Sequence, residues 1–277
     1  MKKRNIVFIS LAVIFLVLII GAVAIYNALP GFLANTFLYP PDQPFPKNPS
    51  DYGYDYRDVN FPASDGLTLS GWVLNEKADK VIIMTHFGYL ANRYGYQTKH
   101  AGLIKPYDKE IEFIKVAGKL VEAGYAVLMY DLRNHGVSGK TEKAVGTGGI
   151  EEARDILGAV EFITEHETTK GKPVGLLSYC MGANATSIAF GKNPDLFNSS
   201  NVRALVAMQP LTNALFLETM KFPKKIFDAV ASRFKSVSGY DFHAPVVENV
   251  PSITVPTLLC QLKKDPNINM DFINNIY

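Results

Sequence analysis

Cys180 is the residue of this chain best placed for chemistry. It stands in Ser178-Tyr179-Cys180-Met181-Gly182, after the apolar run Pro173-Val174-Gly175-Leu176-Leu177 and before the small-residue segment Ala183-Asn184-Ala185-Thr186-Ser187-Ile188-Ala189. The run reads as a strand, the small-residue segment as a helix, and the residues between them as a sharp turn. A thiol on such a turn lies at a helix N-terminus, where unpaired N–H groups and the dipole favour the thiolate, the form that attacks an electrophile. The other reading of the same residue is an inert thiol buried at a strand end.

Alternating segments must position that thiol. Residues 56–61 and 67–74 read as strands around the turn Ser64-Asp65-Gly66, and residues 80–85 as a buried strand. Residues 109–122 have helical spacing, 125–130 read as a strand, and 150–166 as a helix with Glu151 and Glu152 in its first turn, where they suit the dipole. Residues 204–208 and 257–261 are further strands. Strands separated by helices imply an α/β fold, a mostly parallel sheet with helices on both faces. Two segments interrupt the alternation. Residues 88–107 form a loop longer than most connections. Residues 211–250 form a mostly helical insertion containing Leu215-Phe216-Leu217 and Ile226-Phe227, which suits an apolar cap over a site or extra helical packing.

Residues 6–29 are apolar and uncharged. As a helix they span about 36 Å, enough to cross a bilayer core. Lys2, Lys3 and Arg4 precede them and no basic residue follows before Lys47. The N-terminus is therefore expected in the cytoplasm and the rest of the chain outside, as a single-pass protein of the cell membrane. A cleaved signal peptide would have a shorter apolar region and a small-residue cleavage site. This run is long and ends in Tyr26-Asn27-Ala28-Leu29-Pro30, so residues 1–29 are expected to be an uncleaved anchor. Residues 30–51, with Pro40, Pro41, Pro44, Pro46 and Pro49, read as a Pro-rich linker, spanning from membrane to domain or packed along the domain surface. Without the three N-terminal basic residues, the formal charge of +2 falls to near neutrality, so nucleic acid is not an expected partner. No H-E-x-x-H, paired C-x-x-C, G-x-G-x-x-G or G-x-x-x-x-G-K-[ST] spacing occurs, and neither a metal nor another cofactor is expected. Asn184-Ala185-Thr186 and Asn198-Ser199-Ser200 match the glycosylation pattern; the first falls on the helix after Cys180 and is read as chance.

With these segments in view, residues 52–277 resemble the α/β-hydrolase superfamily. The turn around Cys180 resembles the G-x-S-x-G nucleophile elbow, with Ser178 at the first glycine and Cys180 at the nucleophile, as in dienelactone hydrolases. Asp65-Gly66-Leu67-Thr68-Leu69-Ser70-Gly71-Trp72 resembles the opening hairpin of membrane-anchored bacterial members. Thr85-His86-Phe87-Gly88 resembles the H-G oxyanion segment, and Tyr130-Asp131-Leu132-Arg133-Asn134-His135-Gly136-Val137-Ser138-Gly139 the D-x-R-G-H-G-x-S segment with Asn134 for Gly. The resemblance implies an oxyanion hole made of the backbone N–H of Met181 and that of Phe87 or Gly88. It implies structural roles for His86 and Asp131, each ordering its loop, and a small packing residue at Ser178. It makes Asp265, in the segment after the last strand, the acid that orients a histidine base. In the implied strand order residues 204–208 lie between the strands of Cys180 and Cys260, a gap beyond disulfide reach, so both cysteines are expected to be thiols.

The resemblance places the base after one further helix and strand, yet no histidine follows Asp265, and the C-terminal strand and helix of the fold are apparently missing. Of the five histidines, His135 belongs to a loop after a strand, His166 to a helix end and His243 to the insertion; His100, in the long loop near the oxyanion segment, is the possible base. The expected function is hydrolysis of a small-molecule ester, thioester or related acyl bond through Cys180. The alternatives are a binding protein that keeps the pocket without the chemistry, and an incomplete copy of an active enzyme.

Overall fold

In a computed structural model of the chain, which describes residues 3–39, 41, 43–101, 108–263 and 270–276, the expected alternation forms a seven-stranded sheet. Helix α1 (Lys3–Leu38) leads into the hairpin β1 (Tyr56–Pro62) and β2 (Thr68–Leu74), and then β3 (Val81–Thr85). The short strands β4 (Gly95–Tyr96) and β5 (Ile111–Glu112), helix α2 (Phe113–Glu122) and strand β6 (Ala126–Tyr130) follow. Next come α3 (Ala153–Glu165), β7 (Val174–Tyr179), α4 (Met181–Lys192), α5 (Pro194–Ser199) and β8 (Val202–Met208). The helices α6 (Asn213–Thr219), α7 (Lys224–Ser238) and α8 (Val246–Asn249) occupy the insertion, before β9 (Thr257–Cys260) and α9 (Met270–Ile276).

The strand order is β1-β2-β6-β3-β7-β8-β9, antiparallel at the β1–β2 and β2–β6 pairs and parallel from β6 onward. Successive side chains of a strand point to opposite faces, and the central strands are apolar on both. Ile83 and Leu128 face a core shared with Ile156 and Val160 of α3 and Ile188 of α4. Met84 and Met129 face Phe113, Ile114 and Ala117 of α2. The parallel register aligns Thr85 with Ser178, Tyr179 with Met208, and Met208 with Cys260. The loops leaving β3, β7 and β8 therefore emerge together at the carboxyl edge, where sheets of this kind place their ligands. Cys180 and Cys260 are separated by β8 and are both thiols.

Beyond shifts of up to three residues at other element ends, several features differ from the sequence reading. Helix α2 begins at Phe113 because Ile111 and Glu112 pair with Tyr96 and Gly95. The turn of α5 was not foreseen; Asn193 caps it through Leu196 N–H, and Pro194 pre-sets its first turn. The largest difference lies at residue 30. Pro30 lacks the N–H of an interior helical residue, yet α1 continues through it to Leu38. Beyond Pro30 the helix buries Leu33, Ala34 and Leu38 against Ile226, Val230, Phe234 and Phe242 of the insertion, and Gly146 N–H bonds Leu38 O at 2.7 Å. Tertiary burial outweighs the lost bond, and residues 30–38 are helix rather than linker. The described part of the proline-rich stretch lies on the domain: Phe45 packs edge-on to Trp72, and Gln43 O accepts from Asn92 Nδ2 at 2.9 Å.

Candidate active site

Cys180 joins β7 to α4 with φ 49° and ψ −112°. For a residue with a side chain this is a sparsely populated backbone, of the kind that persists only when its surroundings enforce it. Several contacts do so. Cys180 N–H donates to Met208 O at 2.8 Å. Ser178 Oγ and Thr186 Oγ1 lie 2.8 Å apart, tying the strand end to the second turn of α4. Gly182 lets α4 close on β3, for a Cβ there would lie 2.6 Å from His86 O and 2.9 Å from Thr85 O. Ser178 is buried and engaged in packing, in keeping with its expected role.

The thiol of Cys180 donates to Leu211 O at 3.9 Å, and Asn184 Nδ2 holds the same carbonyl at 2.8 Å. Asn184 is wholly buried in this role, which removes it as a glycosylation acceptor in the folded chain. Met181 is the first residue of α4, and a helix leaves the N–H groups of its first turn without partners of its own. Gly88 lies directly across: a Cβ on it would meet Met181 Sδ at 2.6 Å. Cys180, Met181, Phe87 and Gly88 thus line one predominantly apolar cleft, as the sequence reading requires. Phe216 of α6 closes its far wall, in line with an insertion that caps the site; the part played by Thr36 and Phe37 from the end of α1 was not anticipated. The signal was present in the sequence, since the run Phe32-Leu33-Ala34-Asn35-Thr36-Phe37-Leu38 stays largely apolar beyond Pro30, but a proline after an anchor reads as a boundary.

The histidines are placed elsewhere. His86 is buried; its Nδ1–H donates to Phe87 O at 2.6 Å and its Nε2 accepts Leu132 N–H at 3.0 Å. Burial, with His135 and Arg93 nearby, pushes its pKa down to about 3. The ring is a neutral brace between two loops, as expected. His135 Nδ1 engages Arg133 O at 2.8 Å. His166 lies 2.7 Å from Arg57 Nη2, and His243 is exposed beside Phe227. His100 is exposed on a turn over Thr98–His100 and does not line the cleft, so the structure does not bring the possible base to Cys180. Asp265 lies outside the described residues.

Asp131 orders its loop. Its carboxylate accepts Arg93 N–H at 2.8 Å and Val137 N–H at 3.0 Å, and pairs with Arg93 Nη1 at 3.3 Å. Burial pushes its pKa up to about 6 against the pull of Arg93. Asn134, which replaces the glycine of the resembled segment, has φ 63°. Asparagine is among the few side chains that tolerate that region, and here it is held by Nδ2 to Val145 O and Oδ1 from Thr141 N–H. Among the described residues no group of three or more His, Cys, Asp or Glu could hold a metal ion.

A family model for the alpha/beta hydrolase fold matches residues 100–272. Among solved structures, the chain is similar to an esterase from Pyrococcus furiosus, with 23% identity and a TM-score of 0.62 over 87% of this chain and 82% of that one. An esterase from Exiguobacterium antarcticum aligns at 16% identity and a TM-score of 0.52, covering 79% of this chain and 86% of that one. Among curated proteins no sequence matches.

Proposed function

The chain belongs to the α/β-hydrolase fold family, and from that premise we propose that it is a membrane-anchored hydrolase of esters, thioesters or related acyl bonds, acting through Cys180. The observation that carries this reading is the strained turn of Cys180 at the head of α4, facing Met181 and Gly88 across an apolar cleft. The two esterases of similar fold are consistent with an ester substrate. In the proposed reaction the thiol proton passes to solvent and Sγ attacks the acyl carbon. The tetrahedral oxyanion accepts hydrogen bonds from Met181 N–H and from Gly88 or Phe87 N–H. Collapse breaks the acyl C–O or C–S bond, and the leaving group takes a proton from water. A second water then cleaves the acyl-Cys180 thioester to carboxylate and thiol. The α4 N-terminus favours the thiolate, while the bond to Leu211 O favours the thiol; substrate entry that displaces Leu211 O shifts that balance toward attack. Asp265, after β9, is proposed as the site's carboxylate, and the extracytoplasmic face as its location.

A binding protein without catalysis is the second reading, favoured by one observation: each of the five histidines lies off the cleft. The full chain in membranes, assayed with p-nitrophenyl butyrate and a short acyl thioester, separates the two. We expect hydrolysis, loss of at least about 100-fold in Cys180→Ala, and iodoacetamide labelling at Cys180 that abolishes activity. Labelling of Cys180 with no turnover of either substrate leaves only the binding reading.

A further inference from the structure

The end of the membrane helix is part of the cleft wall. Side chains of α1 from Phe8 to Ala28 are all exposed, about 32 Å of helix, which matches the hydrocarbon thickness of a bilayer. Burial begins only after that stretch, where Leu33, Ala34 and Leu38 enter the core formed with α7. Thr36 and Phe37 line the cleft of Cys180 and lie about 12–14 Å along the helix axis from Ala28. The headgroup layer is about 5–8 Å deep on each side of the hydrocarbon. The cleft thus stands just above the lipid surface, and the helix that fixes it there also supplies one of its walls.

That wall is rigidly placed. Phe37 packs edge-on to Phe216 at 6.1 Å and to Phe242 at 5.2 Å, and Asn35 Oδ1 accepts from the Arg233 guanidinium at 3.4 Å. Phe87, Met181, Leu211 and Phe216 make the rest of the lining mainly apolar; Tyr89, Thr212 and Asn213 add neutral polar groups, and no lining residue carries a charge that would recognise a charged headgroup.

We propose that the substrate is a bilayer-resident amphiphile, an ester or thioester of a long acyl chain, whose chain enters this cleft from the lipid along α1. The proposal rests on the readings that Cys180 is the nucleophile and that α1 spans the membrane. It also requires α1 to stay attached, since its removal would take away Thr36 and Phe37.

The test uses the full chain in phosphatidylcholine vesicles. Cys180 is alkylated with N-hexadecylmaleimide dissolved in the bilayer or with N-ethylmaleimide in the water, and Cys260 of the same molecule serves as reference. The long-to-short rate ratio is expected to be at least tenfold larger at Cys180 than at Cys260. Thr36→Trp and, separately, Phe37→Trp, which fill the wall from α1, should each reduce that ratio at least fivefold. Equal ratios at the two cysteines, a ratio moved by neither variant, or failure of the long reagent to label Cys180 overturns the proposal. The same vesicles are assayed with p-nitrophenyl palmitate and butyrate. Bilayer-biased labelling without hydrolysis keeps the lipid-facing cleft and removes the catalytic reading. Hydrolysis without the bias does the reverse.

Discussion

Cys180 and His86 show how much of a side chain's behaviour is set by its immediate neighbours. Cys180 is aimed by backbone geometry that no neighbouring side chain could supply alone. His86, the more tempting residue in the sequence, is spent on two backbone bonds and held neutral. Its pKa near 3, against about 6.5 for an unfolded histidine, has a definite consequence for stability. Above pH 6.5 neither state is protonated and the brace is fully present. As the pH falls from 6.5 toward 3 the unfolded chain takes up a proton that the folded chain refuses, and stability is lost, by about 3–5 kcal/mol for this group. Denaturant unfolding of the wild type between pH 7 and pH 4 should show that loss, and His86→Gln should flatten the slope. An unchanged slope would mean that the ring is not held neutral.

The elbow is a property of α4 and its two neighbouring strands together. Gly182 sits where the helix passes over the end of β3, so Gly182→Ala forces a methyl against backbone oxygens of His86 and Thr85. We expect a cost of about 1–3 kcal/mol in unfolding free energy. Reactivity of Cys180 toward iodoacetamide should change at the same time, because the turn moves with the helix; Gly171→Ala, which strains the backbone at φ 77° before the start of β7 without touching the turn, is the comparison for reactivity. This element was legible in the sequence: an apolar run, five turn residues and a small-residue segment fixed its place, and Asp131 and Asn134 were legible in the same way from their loop. Helix α1 was legible only as far as Pro30. Its last turns are apolar enough to continue, but whether they do depends on α7, far along the chain, offering Ile226, Val230 and Phe234 as a surface.

At the scale of the whole molecule, the described residues form three cores, one on each face of the sheet and a third where the insertion meets the end of α1. The third makes the end of α1, the proposed membrane anchor, a structural part of the domain. A chain beginning at residue 29 keeps Leu33, Phe37 and Leu38; one beginning at residue 39 exposes Val230, Phe234 and Phe242. We expect the shorter chain to be less stable by about 4–6 kcal/mol, from the loss of two buried leucines and a partly buried phenylalanine, read as a lower midpoint in thermal unfolding. Equal midpoints would show that the contact contributes nothing.

Composition and order of segments by themselves determined the mostly parallel sheet and the turn that carries Cys180. These follow from local periodicity and from residue types that a strand, a turn or a helix start demands. Tertiary structure alone decided what surrounds the thiol: Leu211 O and Asn184 beside it, His100 on an exposed turn away from it, and Thr36 and Phe37 across from it. Those contacts join residues far apart in the chain, and nothing in the spacing of either partner records which surface it will meet.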